Sequence, residues 1–154
     1  MIPIKVLVPS GVLGLGFDLE ALKHGIKNNP DIISIDGGST DSGPYSLGSG
    51  TSKYSRAAIK AEWKSLMIAR KKANVPLVIG SCGTCGTNRM VDWMEKITTE
   101  LAEELNQNIK IAKLYCQQEK NFIKKNLQLH KIFPLNPAPM LNGQLIEEMT
   151  NIVA

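Results

Sequence analysis

Three short apolar runs in this chain are each followed at once by a glycine-rich loop, and each loop leads into apolar residues at helical spacing. The runs are Ile4–Val8, Asp31–Ile35 and Pro76–Ile79; the loops are Ser10–Gly16, Asp36–Lys53 and Gly80–Thr87. They hold three, five and three of the chain's 13 glycines. This alternation restricts the chain to an α/β fold, because parallel strands need a crossover and that crossover is usually a helix. Loops after successive parallel strands leave by the same carboxyl edge, where ligands bind. Glycine lets a backbone approach a ligand closely, while Ser and Thr supply hydroxyls. Three such loops on one edge describe a cradle for a small anionic molecule.

The expected architecture is a three-layer, Rossmann-like α/β domain with a mainly parallel sheet, spanning residues 1–154 as one domain. Leu19, Leu22 and Ile26 mark a first helix behind Asp18, a candidate N-cap. A second, from Arg56 to about Asn74, carries Ile59, Trp63, Leu66 and Met67 on one face. A third, capped by Asn88, carries Val91, Met94, Ile97 and Leu101. Ile109–Tyr115 reads as a fourth strand. A weaker helix over Glu119–Leu127, a proline-rich turn over Phe133–Pro139 and a short helix over Leu141–Met149 complete the alternation. Asn151–Ala154 opens what reads as a fifth strand with no loop beyond it. The expectation is therefore a fragment or one part of a split protein, completed by a downstream domain, a companion subunit or a homo-oligomer.

Composition narrows the function classes. A net charge of +4 is modest, and its lysines and arginines lie on helix-like stretches, so a solvated face outweighs a nucleic-acid surface. Aromatic residues make up only 5%, too few to build stacking platforms for single strands. No apolar run reaches the length of a membrane span. Three cysteines and no export signal point to a reducing cytoplasm.

The loops exclude familiar nucleotide sites. The first is Gly-x-x-Gly-x-Gly, not the dinucleotide order, and no P-loop segment occurs. In the second, Asp36 stands at a strand's carboxyl end and is the candidate acid or base, with Asp41 behind it. Asx-turns are the competing reading for both. Gly37, Gly38, Ser39, Thr40, Gly50 and Thr51 are its candidate ligand groups, joined by Ser10 and Gly11 of the first loop. Lys53 and Arg56, at a helix start, suit a phosphate or carboxylate, or are an ordinary exposed basic pair. The third loop offers Ser81, Gly83 and Thr84 and contains Cys82-Gly83-Thr84-Cys85. A helix N-terminus lowers a thiol pKa, so Cys82 is a minority candidate nucleophile and thiol redox the least favoured class. The cysteines and the distant His24 and His130 give no recognisable metal pattern. No cofactor is specified.

Asp36-Gly37-Gly38-Ser39-Thr40-Asp41-Ser42-Gly43-Pro44-Tyr45 and Gly80-Ser81-Cys82-Gly83-Thr84, with Val6–Gly11 and Gly48–Thr51, resemble the amino-terminal part of acyclic terpene utilisation (AtuA) family proteins. The family's members are longer than this chain, and Cys85 departs from the small residue expected there. The resemblance implies a cytoplasmic catabolic protein acting around branched carboxylic acids or acyl-CoA thioesters. Two function classes follow. One is an enzyme domain, a lyase, hydratase or isomerase; the other is a non-catalytic ligand-binding or assembly subunit that completes a site with a partner chain.

Overall fold

The computed structural model describes residues 3–9, 11–38 and 44–153. Strands β1 (Val6–Leu7), β2 (Ile32–Asp36) and β3 (Leu77–Gly80) form one parallel sheet in that order. Val6 lies opposite Ile32, Ile33 opposite Leu77, and Asp36 opposite Gly80. Helix α1 (Leu19–Lys27) joins β1 to β2, and α2 (Tyr45–Ser49) and α3 (Arg56–Ala73) join β2 to β3. Then come α4 (Asn88–Glu104), α5 (Lys120–Gln128) and α6 (Gly143–Glu148). The protein is thus mixed α/β with a small parallel sheet.

Local chemistry sets the helix ends. The Asp18 carboxylate accepts hydrogen bonds from the N–H groups of Glu20 and Ala21, and the Ser55 hydroxyl from that of Ala58. Asn74, at φ 56°, turns α3 off in the left-handed conformation. Asn88 is the first residue of α4 rather than its cap; Thr87 takes the cap position.

The predicted helical stripes become the core. Ile59, Trp63, Leu66 and Met67 of α3 and Met94, Ile97 and Leu101 of α4 are buried together with Leu22, Ile33 and Ile35. Leu7, Leu77 and Ile79 pack against the same cluster. Each such aliphatic side chain contributes about 1.5–3 kcal/mol by leaving water. Leu7, Ile33 and Leu77 share one sheet face by register, so α1, α3 and α4 all gather there. The cause is the winding. Right-handed crossovers that keep stepping in one direction place every helix on one side of the sheet. The opposite face carries Val6 and Val78, 55% and 45% exposed, beside Ile32 and Ser34. Among the described residues, the three-layer expectation is met only as far as one helix layer against the sheet.

Two predicted strands do not join it. Residues 109–115 follow α4 as a fourth strand would, yet they make no ladder with β3. Near the other end, Val153 makes only an isolated antiparallel bridge to Gln117. An apolar run gains strand geometry only where a neighbouring backbone meets it in register. Here none does.

Candidate functional site

At the carboxyl edge, the second and third loops lock together through their backbones. Gly37 N–H donates to Gly80 O at 2.7 Å, and Thr84 N–H donates to Gly37 O at 3.2 Å. A Cβ on Gly38 would stand 2.1 Å from Thr84 Cα, so only glycine fits there. The Thr84 hydroxyl accepts a hydrogen bond from Lys53 N–H at 3.1 Å and is fully buried. Thr84 sits at φ 70° and Ser81 at φ 47°. A β-branched residue in the left-handed region is a genuine outlier, and such strain gathers at functional sites. Thr84 is held in it by bonds at both its N–H and its hydroxyl.

Asp36 ends β2 beside this knot, half-buried. Its Oδ1 accepts the Gly38 N–H at 3.0 Å, while its backbone carbonyl accepts Leu13 N–H at 2.8 Å. The first bond is the Asx-turn geometry named as the competing reading for this residue. It leaves Oδ2 with no hydrogen-bond partner among the described residues, and the exposed Ser81 follows the end of the adjacent strand. Ser10, Ser39, Thr40 and Asp41 lie outside the described residues.

The first loop turns its polar groups inward. The N–H groups of Gly14 and Gly16 donate to the two oxygens of Glu62, a residue of α3, each at 2.7 Å. That carboxylate occupies the place an anionic ligand would take against those amides. A Cβ on Gly14 would meet the Tyr54 ring at 2.6 Å. Gly11 remains exposed and unobstructed. Glu62 was not legible as a site residue, because it sits in a helix among charged and apolar neighbours with no motif around it.

The basic pair divides. Arg56 forms an ion pair with Glu100 of α4 at 2.5 Å, away from the loop knot. Lys53 is exposed, its ammonium 5.7 Å from the Tyr54 ring centre. Gly50 and Thr51 close α2, where Gly50 O accepts from Arg89 and the Thr51 hydroxyl bonds to that of Ser49 at 2.7 Å. Gly83, at φ 58°, packs on Met90. Thus Gly37, Gly38, Lys53 and Thr84 come together, with Asp36 and Ser81 at their rim. Gly50, Thr51 and Arg56 are turned to other partners.

Burial pushes the Cys82 thiol up to about 11, so it is a neutral thiol at neutral pH. Cys82, Cys85 and Cys116 are all free. Among the described residues, no three His, Cys, Asp or Glu side chains stand together as a metal site would require, and no helix is long and apolar enough to cross a membrane.

Two cavities flank the loop knot rather than fill it. One, about 440 Å³, lies between Asn88, Gln117 and Thr150. The other, about 430 Å³, runs between β3 and residues 109–114, with Cys82 in its wall. No family model, no curated protein and no solved structure matches this chain.

Proposed function

We propose that the carboxyl edge binds a small organic acid or its CoA thioester and that Asp36 moves a proton on it, as in a lyase, hydratase or isomerase. The observation that carries this reading is the Asp36 carboxylate itself. It is fixed through Oδ1 by the Gly38 amide, Oδ2 has no hydrogen-bond partner among the described residues, and the residue opposite it, Gly80, leads into the left-handed Ser81. A carboxylate so held is preorganised to accept a proton from a bound ligand. The branched-acid class comes from the resemblance to acyclic terpene utilisation proteins, which rests on the same loops. A cytoplasmic setting and a Rossmann-like kinship belong to this reading as well.

The test is solvent deuterium exchange at the α-carbon of short branched carboxylates and their CoA thioesters. Wild-type protein should wash deuterium in, and Asp36→Asn should reduce the rate at least about a hundredfold while ligand binding persists. Equal rates in both proteins would remove Asp36 from the chemistry.

A second reading, a non-catalytic binding or assembly subunit, draws on the Glu62 contacts. The amides of the first loop are already satisfied by the protein's own carboxylate. Under that reading Asp36→Asn alters ligand affinity and no exchange occurs in either protein.

A further inference from the structure

The cleft beside β3 has two walls made of backbone. Ile33 N–H bonds to Pro76 O and Gly37 N–H to Gly80 O. By the two-residue alternation of a strand, residues 76, 78 and 80 face β2, and the N–H and C=O groups of Leu77 and Ile79 point off the outer edge. Among the described residues they have no partner. Across the cleft, residues 109–114 run back along α4, tied by Gln107 N–H to Ala102 O at one end and by Gln117 to Asn88 N–H at the other. Lys113 pins the segment midway by ion pairs to Asp92 and Glu95. Its direction is therefore that of β3. None of its backbone groups bonds to a described residue either.

Between these walls lies the cavity of about 430 Å³, floored by Trp63, Met67, Val91 and Met94. Arg70 also lines it, and its Nε is buried without a hydrogen-bond partner among the described residues. Unpaired backbone on two facing walls, an apolar floor and an orphan donor together define an occupant. A small apolar molecule would satisfy the floor but leave both walls and Arg70 unpaired, which is costly. An extended peptide satisfies all three, because it carries backbone donors and acceptors on both edges and side chains on the floor. A four-residue strand is about 13 Å long, matching the four residues of β3. The exposed apolar stretch of this same chain, Phe133–Met140, is unsuited: Pro134, Pro137 and Pro139 lack the N–H groups a ladder needs.

We propose that the cleft between β3 and residues 109–114 accepts one extended strand from a separate polypeptide. The strand runs parallel to β3, with aliphatic side chains on the α3–α4 floor and an acidic or amide side chain against Arg70 at its amino-terminal end. Because Arg70 closes α3 just before β3 begins, a parallel strand meets it with its first residues. This inference is independent of the chemistry proposed for Asp36.

Residue-resolved amide hydrogen exchange on the whole chain tests it. The probe is a blocked hexapeptide of alternating valine and threonine with glutamate first; the control has proline at its third position. In the free chain, the amides of Leu77, Ile79 and residues 110–113 should exchange quickly while those of Ile33 and Ile35 are protected. Millimolar probe should slow both walls at least about tenfold, and the control should not. Arg70→Met should weaken the probe about tenfold and erase its advantage over a valine-first peptide. Protection of one wall only, or of neither, overturns the proposal. So does protection without peptide in a chain that light scattering shows to be dimeric, which would make a second copy the occupant.

Discussion

Residues 6–104 and residues 109–153 carry the same kind of pattern, apolar runs alternating with helix-period segments, and they fold to different ends. In the first region every run finds a strand beside it, and its helices bury their stripes against the sheet. In the second, the run at 109–114 lies alongside a cleft, α5 and α6 bury little beyond Ile123 and Ile146, and Leu114, Phe133 and Leu135 stand 75–87% exposed. The difference teaches that pattern supplies a strand's faces while pairing supplies the strand. Hydrophobic periodicity tells each residue which side to turn, but backbone hydrogen bonds need a neighbour at the right spacing. The first region has three mutually adjacent runs. The second has one run separated from the sheet by a gap and another that makes only an isolated bridge, to Gln117.

The largest break in that contrast should come from the glycine knot. Gly38→Ala would drive a methyl group into the Thr84 backbone, which has no flexible end to give way. We expect a loss of about 3 kcal/mol or more in urea unfolding. Gly143→Ala, with open space around it in the second region, should change stability by less than about 0.5 kcal/mol. Comparable losses for the two variants would erase the distinction between the regions.

A matched leucine pair sharpens it further. Leu66, fully buried in α3, should cost about 3 kcal/mol when replaced by Ala, whereas Leu114→Ala in the unpaired segment should stay within about 0.5 kcal/mol. A large effect at Leu114 would mean that the segment is packed in solution.

Cys82 reports on the boundary between the regions through pH. Its thiol is raised from an ordinary value of 9.0 to about 11. The folded state therefore keeps a proton that the unfolded chain releases above pH 9. The resulting stability is fully present below that point and is lost as pH rises towards 11, by up to about 2–3 kcal/mol. Thermal unfolding at pH 8 and pH 10.5 should show the decline, and Cys82→Ala should lessen it. An unchanged slope in the variant would assign the decline to other groups.

The smallest expected effect is at Glu62. Replacing it by Gln keeps its shape and one of the two bonds to the Gly14 and Gly16 amides, but sets an NH2 donor against the other N–H, for about 1–2 kcal/mol. If the first loop is meant for an anionic ligand, Glu62→Ala should also create a new phosphate or carboxylate site there, measurable by calorimetry. Absence of binding would leave the loop a purely internal contact.

Much of the fold was legible because it is local. Asp18 as a cap, the α3 and α4 stripes, and the three strands followed by glycine loops need only periodicity and turn chemistry to be read. Asp36 at the mouth of β2 was legible for the same reason. Glu62, Arg70 and the pairing of Arg56 with Glu100 were not, since each depends on which helix face meets a residue 30 or more positions away in sequence. Asn88 was read as a cap because its residue type prefers that role, yet Thr87 precedes it and takes the position. The fourth and fifth strands failed for the reason that separates the two regions: an apolar run does not carry its partner with it.

The sequence by itself determined that the chain is α/β, which three apolar runs hold its paired strands, and that the loops after the second and third would need glycine. Those outcomes follow from φ preferences and from apolar spacing along the chain. Only the tertiary structure decided that successive strands step one way and that, among the described residues, Val6 and Val78 on one sheet face stay about half exposed. It also turned the first loop's amides onto Glu62 and opened a cleft between β3 and the run that was expected to extend the sheet. These depend on distances between distant segments, set by packing and crossover handedness rather than by any residue's own preference.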